Sequence, residues 1–209
     1  MIANVRRAAV LVAALLTAAR PSAQPLDAEA ARTREALGLR PGLSVADVGT
    51  GNGEWAERIG REVGESGHVY ATEVDRDKLH EAETRLKEAG LKNVSAILGT
   101  QEDTGLPAGC CDAILLRMVY HHFVDPARMR ASLRSALRRG ASLVVIDTEP
   151  QQGWRQLEQG VPDRGGHGIK EEDLLREMTA DGFVVVARHD DWPGDGKRYC
   201  VVFRSAEGS

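Results

Sequence analysis

The fold is decided by residues 45–55, which read Val-Ala-Asp-Val-Gly-Thr-Gly-Asn-Gly-Glu-Trp. The first four residues form a short, mostly apolar segment typical of a buried strand. The three alternating glycines that follow allow a tight turn and a close approach of the backbone to a ligand. A helical pattern begins at Glu54. Because open α/β sheets bind their ligands at the C-terminal ends of the strands, the stretch predicts a binding site at this turn.

Strand and helix patterns alternate on both sides of this stretch. We expect strands at Leu43–Val48, His68–Glu73, Asn93–Leu98, Asp112–Leu116, Ser142–Asp147, Phe183–Ala187 and Tyr199–Phe203. We expect helices at Leu26–Leu39, Glu54–Val63, Asp77–Ala89, Pro126–Arg139 and Lys170–Ala180. This order predicts a doubly wound, mostly parallel α/β sheet. No helix separates the last two strands, so we expect them to pair as an antiparallel hairpin.

The acidic residues around the glycines indicate which ligand the turn accepts. A dinucleotide fingerprint requires a third glycine where this chain has Glu54, and an acid at a helix N-terminus repels a pyrophosphate. Asp47 adds a second negative charge two residues before the first glycine. Glu73 ends the next strand, 20 residues after Gly53, where an acid can accept hydrogen bonds from ribose hydroxyls. Asp75 is the alternative for that role.

Three motifs together resemble the class I S-adenosylmethionine-dependent methyltransferase family, over about residues 26–205. They are Val45–Gly53, Val69–Asp75, and Leu98–Asp103 followed by Leu106-Pro107 and Asp112. The resemblance implies a Rossmann-like sheet of seven strands, of which only the last is antiparallel, and S-adenosylmethionine as the cofactor. The chain departs from the family at Arg139-Gly140-Ala141, where Pro-Gly-Gly is common; this change affects a structural turn more than the chemistry.

The resemblance also assigns roles to individual residues. It implies that the three glycines line the methionine part of the cofactor, that Asp47 orients it, that Glu73 holds the ribose, and that Glu102 or Asp103 binds the adenine amino group. The candidate cofactor-binding residues are Asp47, Gly49, Thr50, Gly51, Gly53, Glu73, Val74, Glu102, Asp103 and Arg117.

The segment Leu116–Phe123 follows the fourth expected strand and contains the candidates for catalysis. It resembles the His-His segment of small-molecule methyltransferases such as the quinone-biosynthesis group. Either His121 or His122 can serve as a base near neutral pH; the alternative is that one histidine packs or caps while the other is exposed. Two adjacent histidines are poorly placed to share one metal ion, so we expect no metal site.

Fewer residues are candidates for contacting the substrate than for binding the cofactor. Tyr120 and Arg117 lie in the same segment as the histidines, and His167 lies in a glycine-rich loop that can form a lid. Trp154 and Trp192 are the large aromatic residues in loops after strands, and Trp154 is the one we assign to the acceptor site.

The first 23 residues differ in composition from the rest of the 209-residue chain. They carry three arginines and no acid, although the whole chain has 27 Lys and Arg against 31 Asp and Glu, a net charge of −4. Arg6 and Arg7 precede an apolar run from Ala8 to Ala19 that is short for a membrane span. We therefore expect a signal peptide at 1–23, a domain at 24–209 and export to a bacterial periplasm. An uncleaved leader would instead leave the protein membrane-anchored or cytoplasmic.

The net charge and the cysteine positions restrict the partners and cross-links that we expect. The net negative charge provides no broad basic surface, so we expect no nucleic-acid partner. Export permits one disulfide between Cys110 or Cys111 and Cys200, but vicinal cysteines rarely bridge one another, and the spacing resembles no zinc pattern.

The function that these observations favour is methyl transfer from S-adenosylmethionine to a small-molecule acceptor. The alternative is an exported, non-catalytic binding domain that keeps the fold. A nicotinamide-dependent reductase is disfavoured by Glu54.

Overall fold

The computed structural model describes residues 25–153 and 159–205 and contains one seven-stranded sheet. The strand order is β3-β2-β1-β4-β5-β7-β6. The strands are β1 Ser44–Val48, β2 His68–Glu73, β3 Val94–Leu98, β4 Cys111–Arg117, β5 Leu137–Thr148, β6 Phe183–Trp192 and β7 Arg198–Ser205. Parallel pairs join β1 through β5, and β7 pairs antiparallel with both β5 and β6. The predicted sheet, with only its last strand antiparallel, is confirmed.

Five helices flank this sheet within the described ranges. They are α1 Pro25–Leu37, α2 Glu54–Val63, α3 Arg76–Glu88, α4 Pro126–Ala136 and α5 Glu171–Ala180. Helix α3 begins where the Asp75 carboxylate accepts hydrogen bonds from the amides of Asp77 and Lys78, and α4 begins with the predicted Asp125 cap and Pro126. The sequence did not indicate a short 3₁₀ turn, Tyr120–His122, that follows β4.

The boundary between α4 and β5 was predicted wrongly. We expected the helix to continue to Arg139, but it ends at Ala136, and Leu137 already pairs with Cys111 of β4. Arg138 contributes to this early change because its guanidinium donates to the carbonyl of Gly109 and forms an ion pair with Asp112. Contacts with the neighbouring strand therefore override the helical preference of the sequence.

The terminal hairpin is longer than its apolar residues suggested. β6 and β7 pair from Phe183 and Ser205 at one end to Trp192 and Arg198 at the other, with two register irregularities. We expected a polar turn over Asp190–Arg198, but β6 continues to Trp192 and β7 begins at Arg198, so the turn is confined to residues 193–197. The exposed residues of β6 alternate with less exposed ones, as expected for a strand at the edge of a sheet.

The core lies on both faces of the sheet and is densest at β4 and β5. Ile114, Leu115, Leu116 and the segment Leu143–Ile146 are fully buried. Helices on both faces cover these strands, which explains why their sequences are nearly continuous apolar runs. The polar groups described below lie beyond this core, where β1, β2, β4 and β5 end.

All three cysteines are buried free thiols. Burial raises the pKa of each, that of Cys200 to about 12. The predicted signal peptide and Trp154 lie outside the described residues. Within the residues that are described, no helix combines the length and the apolar character that crossing a membrane would require.

Candidate active site

Two of the three glycines in the turn after β1, Gly49 and Gly53, are packed too tightly for larger residues. A Cβ on Gly49 would lie 2.4 Å from Cγ2 of Val119, which belongs to the segment after β4. A Cβ on Gly53 would lie 3.0 Å from the backbone of Ala82, so this glycine allows α2 to begin directly against α3. Both positions also have a positive φ. Gly49 therefore shapes the site, whereas Gly53 serves the packing of the helices.

The Glu73 carboxylate closes the turn from the neighbouring strand. Its Oε2 accepts a hydrogen bond of 2.9 Å from the amide of Gly51, and its Oε1 accepts from the amides of Val74 and Asp75. Glu73 is buried, with 7 % of its surface exposed. A carboxylate offers about four acceptor positions. Three are used here, so one remains for a ligand hydroxyl.

Asp47 lies beneath the same turn and is almost fully buried. Its Oδ2 accepts a hydrogen bond of 2.6 Å from the Thr50 hydroxyl. Burial, which disfavours the charged form, raises the pKa of Asp47 to about 6 despite this bond and the nearby charge of Arg117. A cation bound in the cleft above would favour the ionised carboxylate.

A cleft opens between the ends of β1, β2 and β3 and the segment after β4. It is lined by Val48, Gly49, Thr72, Glu73, Val74, Gly99, Thr100, Gln101, Asp103, Thr104, Val119, His122, Phe123 and Met129. Two acids and no Lys or Arg occur among these described lining residues. The lining therefore suits a ligand with hydroxyl groups and positive charge, and provides no cation for a pyrophosphate.

The structure separates the two acids proposed for the adenine. Asp103 lines the cleft, and its Oδ1 accepts a 2.7 Å hydrogen bond from the amide of Gly105. Glu102 is exposed and forms an ion pair with Arg128. Of the two alternatives, Asp103 has the position that a role in the cleft requires.

Arg117 contacts a side chain of the protein itself rather than the cofactor or substrate that we expected. Its guanidinium donates two hydrogen bonds, of 2.9 and 3.0 Å, to the carboxylate of Glu29 on α1. The same carboxylate accepts from Arg198 at 2.9 Å, although Glu29 is only 2 % exposed. Arg117 also lies over the ring of Trp55. It ties α1 to the end of the sheet and acts on Asp47 only through its charge.

Three histidines come together beside the cleft. The Nδ1 of His121 lies 2.6 Å from Oδ1 of Asp147, and both side chains are fully buried. The Nε2 of His121 lies 3.4 Å from Nε2 of His167, which is 46 residues further along the chain. The rings of His122 and His167 are 4.9 Å apart. His122 is half-buried and lines the cleft, so the cluster meets the binding site at this residue.

Backbone pairing holds His167 in this position. Its amide and carbonyl exchange hydrogen bonds of 3.1 and 3.0 Å with Gln151, just after β5. A Cβ on Gly166 would lie 2.8 Å from the Gln151 carbonyl oxygen, and a Cβ on Gly168 2.6 Å from that of Thr148. The flanking glycines thus let the loop lie directly against the end of β5.

Tyr120 is turned into the protein rather than toward the cleft. Its ring is fully buried, and its hydroxyl donates to Glu177 at 2.8 Å and accepts from Arg130 at 2.9 Å. Burial raises its pKa. Its predicted contact with a substrate stays a prediction, as does that of Trp154.

Several residues of the site escaped the sequence analysis. Asp147 and Glu29 are buried acids with basic partners, and Val119, Phe123 and Met129 form the apolar side of the cleft. Of these residues, only Asp147 could have been identified from the sequence, as an acid near the end of the apolar strand β5. The others depend on contacts between distant segments.

Comparisons with known proteins agree with this geometry. Residues 45–141 match a family model described as a methyltransferase domain. This match covers 97 of the 209 residues, just under half of the chain. A demethylmenaquinone methyltransferase from Listeria welshimeri is 26% identical over 127 residues, which are 60% of this chain and 54% of that protein. The chain thus spans about half the length of the curated relatives it matches.

Two solved structures share the fold. An S-adenosylmethionine-dependent methyltransferase from Aquifex aeolicus superposes with a TM-score of 0.72 at 20% identity, covering 88% of this chain and 100% of that one. The [4+2]-cyclase SpnF superposes with a TM-score of 0.70 at 17% identity, covering 86% of this chain and 81% of that one. Because one of these proteins is named as a cyclase, the fold alone does not determine the reaction.

S-adenosylmethionine is the cofactor that the match to a methyltransferase domain implies, and the described residues fit it. Glu73 retains an acceptor position for a ribose hydroxyl, and the narrow turn at Gly49 brings backbone close to the cleft. The absence of Lys and Arg from the described lining agrees with a ligand that carries a sulfonium and an ammonium group.

Proposed function

We propose that the protein transfers a methyl group from S-adenosylmethionine to a small-molecule acceptor. The observation that carries this proposal is the acid-lined cleft, which is free of Lys and Arg in its described lining and has His122 at one side. The cofactor supplies an activated methyl group. The chain's contribution is to hold the two reactants in a near-attack geometry, which lowers the barrier by several kcal/mol.

Individual residues have separate tasks in this proposal. Glu73 and Asp103 bind and orient the donor through hydrogen bonds, and Asp47 provides a negative charge beneath it. Val119 and Phe123 exclude water from one side of the cleft. The histidine cluster assists removal of a proton from the acceptor, and the Asp147 carboxylate fixes the orientation of His121 by accepting from its Nδ1–H.

An acceptor screen tests the proposal. The purified chain is incubated with S-adenosylmethionine and a panel of quinols, phenols, amines and thiols, and the release of S-adenosylhomocysteine is measured. Quinols come first because the Listeria relative is named as a demethylmenaquinone methyltransferase. We expect release with at least one small molecule. Binding of S-adenosylmethionine without turnover across the panel would support the alternative of a non-catalytic binding domain.

We also propose that residues 1–23 direct export to the periplasm, because basic residues precede an apolar run that ends in small residues. Residues 1–30 fused to a reporter that is active only after export should yield a periplasmic product shortened by the leader. Replacing Arg6 and Arg7 by Glu should reduce this export. A full-length cytoplasmic product would contradict the proposal.

A further inference from the structure

We propose that His121, His122 and His167 bind a divalent metal ion of the Zn²⁺ type. One ligand nitrogen from each histidine lies within 4.8 Å of the other two. From the adjacent pair alone we expected no metal; the third histidine comes from a loop that the fold places against the end of β5. Three histidines with one open coordination position are a common ligand set of catalytic zinc sites.

The closest distance in the cluster fits such an ion. Two nitrogens bound to one zinc at about 2.0–2.1 Å, with a tetrahedral angle between them, lie about 3.3–3.4 Å apart. The two Nε2 atoms of His121 and His167 are 3.4 Å apart. Half-buried His122 is the third ligand, with a ring nitrogen within 4.8 Å of the other two ligand atoms.

The surroundings of His121 provide the outer support that metal-binding histidines have. Asp147 accepts from Nδ1–H, which leaves the lone pair of Nε2 directed at His167. The amide of Thr148 donates to the same carboxylate oxygen at 2.8 Å, so the carboxylate itself is held in place. A carboxylate that orients a ligating imidazole strengthens metal binding. Its negative charge also offsets part of the charge of the ion.

The position of the histidine cluster beside the cleft suggests which group occupies the fourth coordination position of the ion. His122 belongs both to the cluster and to the lining of the cleft, so an ion held by it lies next to the bound substrates. Resting on the proposed function, we infer that the acceptor carries a hydroxyl group whose oxygen becomes the fourth ligand. An ion lowers the pKa of a coordinated hydroxyl, which then releases its proton to water near neutral pH.

A simpler arrangement gives similar distances. His121 and His167 can share one proton in an N–H···N hydrogen bond, and the three rings pack edge to face. Metal titration separates the two arrangements, because a proton-sharing pair has no need of the third histidine and holds no ion.

The experiment uses untagged, full-length protein treated with a chelator and dialysed. After one equivalent of Zn²⁺ is added and excess removed by gel filtration, elemental analysis should find about one zinc per chain. Competition with a chromophoric zinc chelator then gives the dissociation constant. With Co²⁺, the visible absorption should have the intensity of a four-coordinate ion. Protein that retains no zinc would overturn the inference.

Two variants and one control show whether the histidine cluster holds the zinc. His167→Gln should weaken zinc binding by more than about 100-fold, and Asp147→Asn, which keeps all three ligands, by about 10–100-fold. His80→Gln should leave zinc binding unchanged, because His80 is on α3 with 81% of its side chain exposed. Circular dichroism checks that each variant is folded. Equal zinc affinity in wild type and His167→Gln would contradict the proposed site.

This test is independent of methyl transfer because it contains neither donor nor acceptor. Zinc binding without any binding of S-adenosylmethionine would refute the proposed function and leave the metal site standing. Methyl transfer by protein that binds no zinc would refute the metal site alone.

Discussion

Two buried carboxylates lie at the ends of parallel strands of the same sheet and have different environments. Asp47, near the end of β1, accepts a hydrogen bond from a neutral hydroxyl, and its pKa is raised to about 6. Asp147, near the end of β5, lies 2.6 Å from an imidazole nitrogen and accepts from the Thr148 amide. The first acid is suited to a cationic ligand that arrives from outside. The second already has a partner, which it orients. In the proposed function, Asp47 therefore belongs to the side of the site that holds the donor and Asp147 to the side that serves the acceptor.

Removing His122 should have the largest effect, because it should lower the turnover rate while leaving donor binding nearly unchanged. His122→Ala takes away the residue that joins the cluster to the cleft. Loss of a group that assists proton removal lowers kcat by about 10²–10⁴-fold. The affinity for S-adenosylmethionine should change less than about threefold, since Glu73 and Asp103 remain. Initial rates and a calorimetric titration on the same preparation measure both quantities. A large loss of donor affinity with kcat retained would place His122 on the donor side.

Neutralising Asp47 should stabilise the protein while weakening its function. The raised pKa means that the folded state binds this proton more tightly than the unfolded chain does. The contribution of Asp47 to stability is therefore present at low pH and is lost as the pH rises from about 4 through about 6. Asp47→Asn should raise the free energy of unfolding at pH 8 by about 2–3 kcal/mol. Urea unfolding at pH 5 and pH 8 measures this change.

The same substitution should weaken donor binding. In the wild type, affinity for S-adenosylmethionine should increase as the pH rises through about 6, because the ionised carboxylate attracts the cation. The Asp47→Asn variant should show no such increase. An identical pH dependence in the two proteins would show that another group controls binding.

The smallest of the three effects is expected for the ribose acid. Glu73→Ala should weaken S-adenosylmethionine binding by about 1–3 kcal/mol, the cost of losing hydrogen bonds to a charged acceptor. Glu102→Ala is the matched control, because Glu102 is exposed and forms its ion pair with Arg128 at the surface. Its affinity should equal that of the wild type. If Glu102→Ala weakened binding more than Glu73→Ala did, the assignment of the acids would be wrong.

The difference between the two sides also explains what the sequence could predict. The proposed donor side is built largely from a continuous stretch around Gly49 and one acid at the end of the next strand, so local spacing is enough to predict it. The acceptor side joins His121, Asp147 and His167, and His121 and His167 are 46 residues apart. Only the β5 register and the pairing of His167 with Gln151 bring these residues together. Neither is visible as a local pattern.

The fold shows the same contrast between local and distant determinants. The bounds of α2 and β2 were predicted to the residue, because caps, glycines and apolar runs mark them locally. The end of α4 was predicted wrongly because pairing between Leu137 and Cys111 decides it. The role of Arg117 was missed for a similar reason: its partner Glu29 lies 88 residues earlier in the chain.

The most direct test of the central claim is a calorimetric titration of the wild-type protein at pH 7.5 (about 1.5 units above the pKa of Asp47) with S-adenosylmethionine and, separately, with NADH. We expect one S-adenosylmethionine bound per chain, with an affinity that Glu73→Ala weakens, and no heat of binding with NADH. Heat of binding with NADH would contradict the proposed function. The absence of measurable heat with saturating S-adenosylmethionine at several temperatures would contradict it as well.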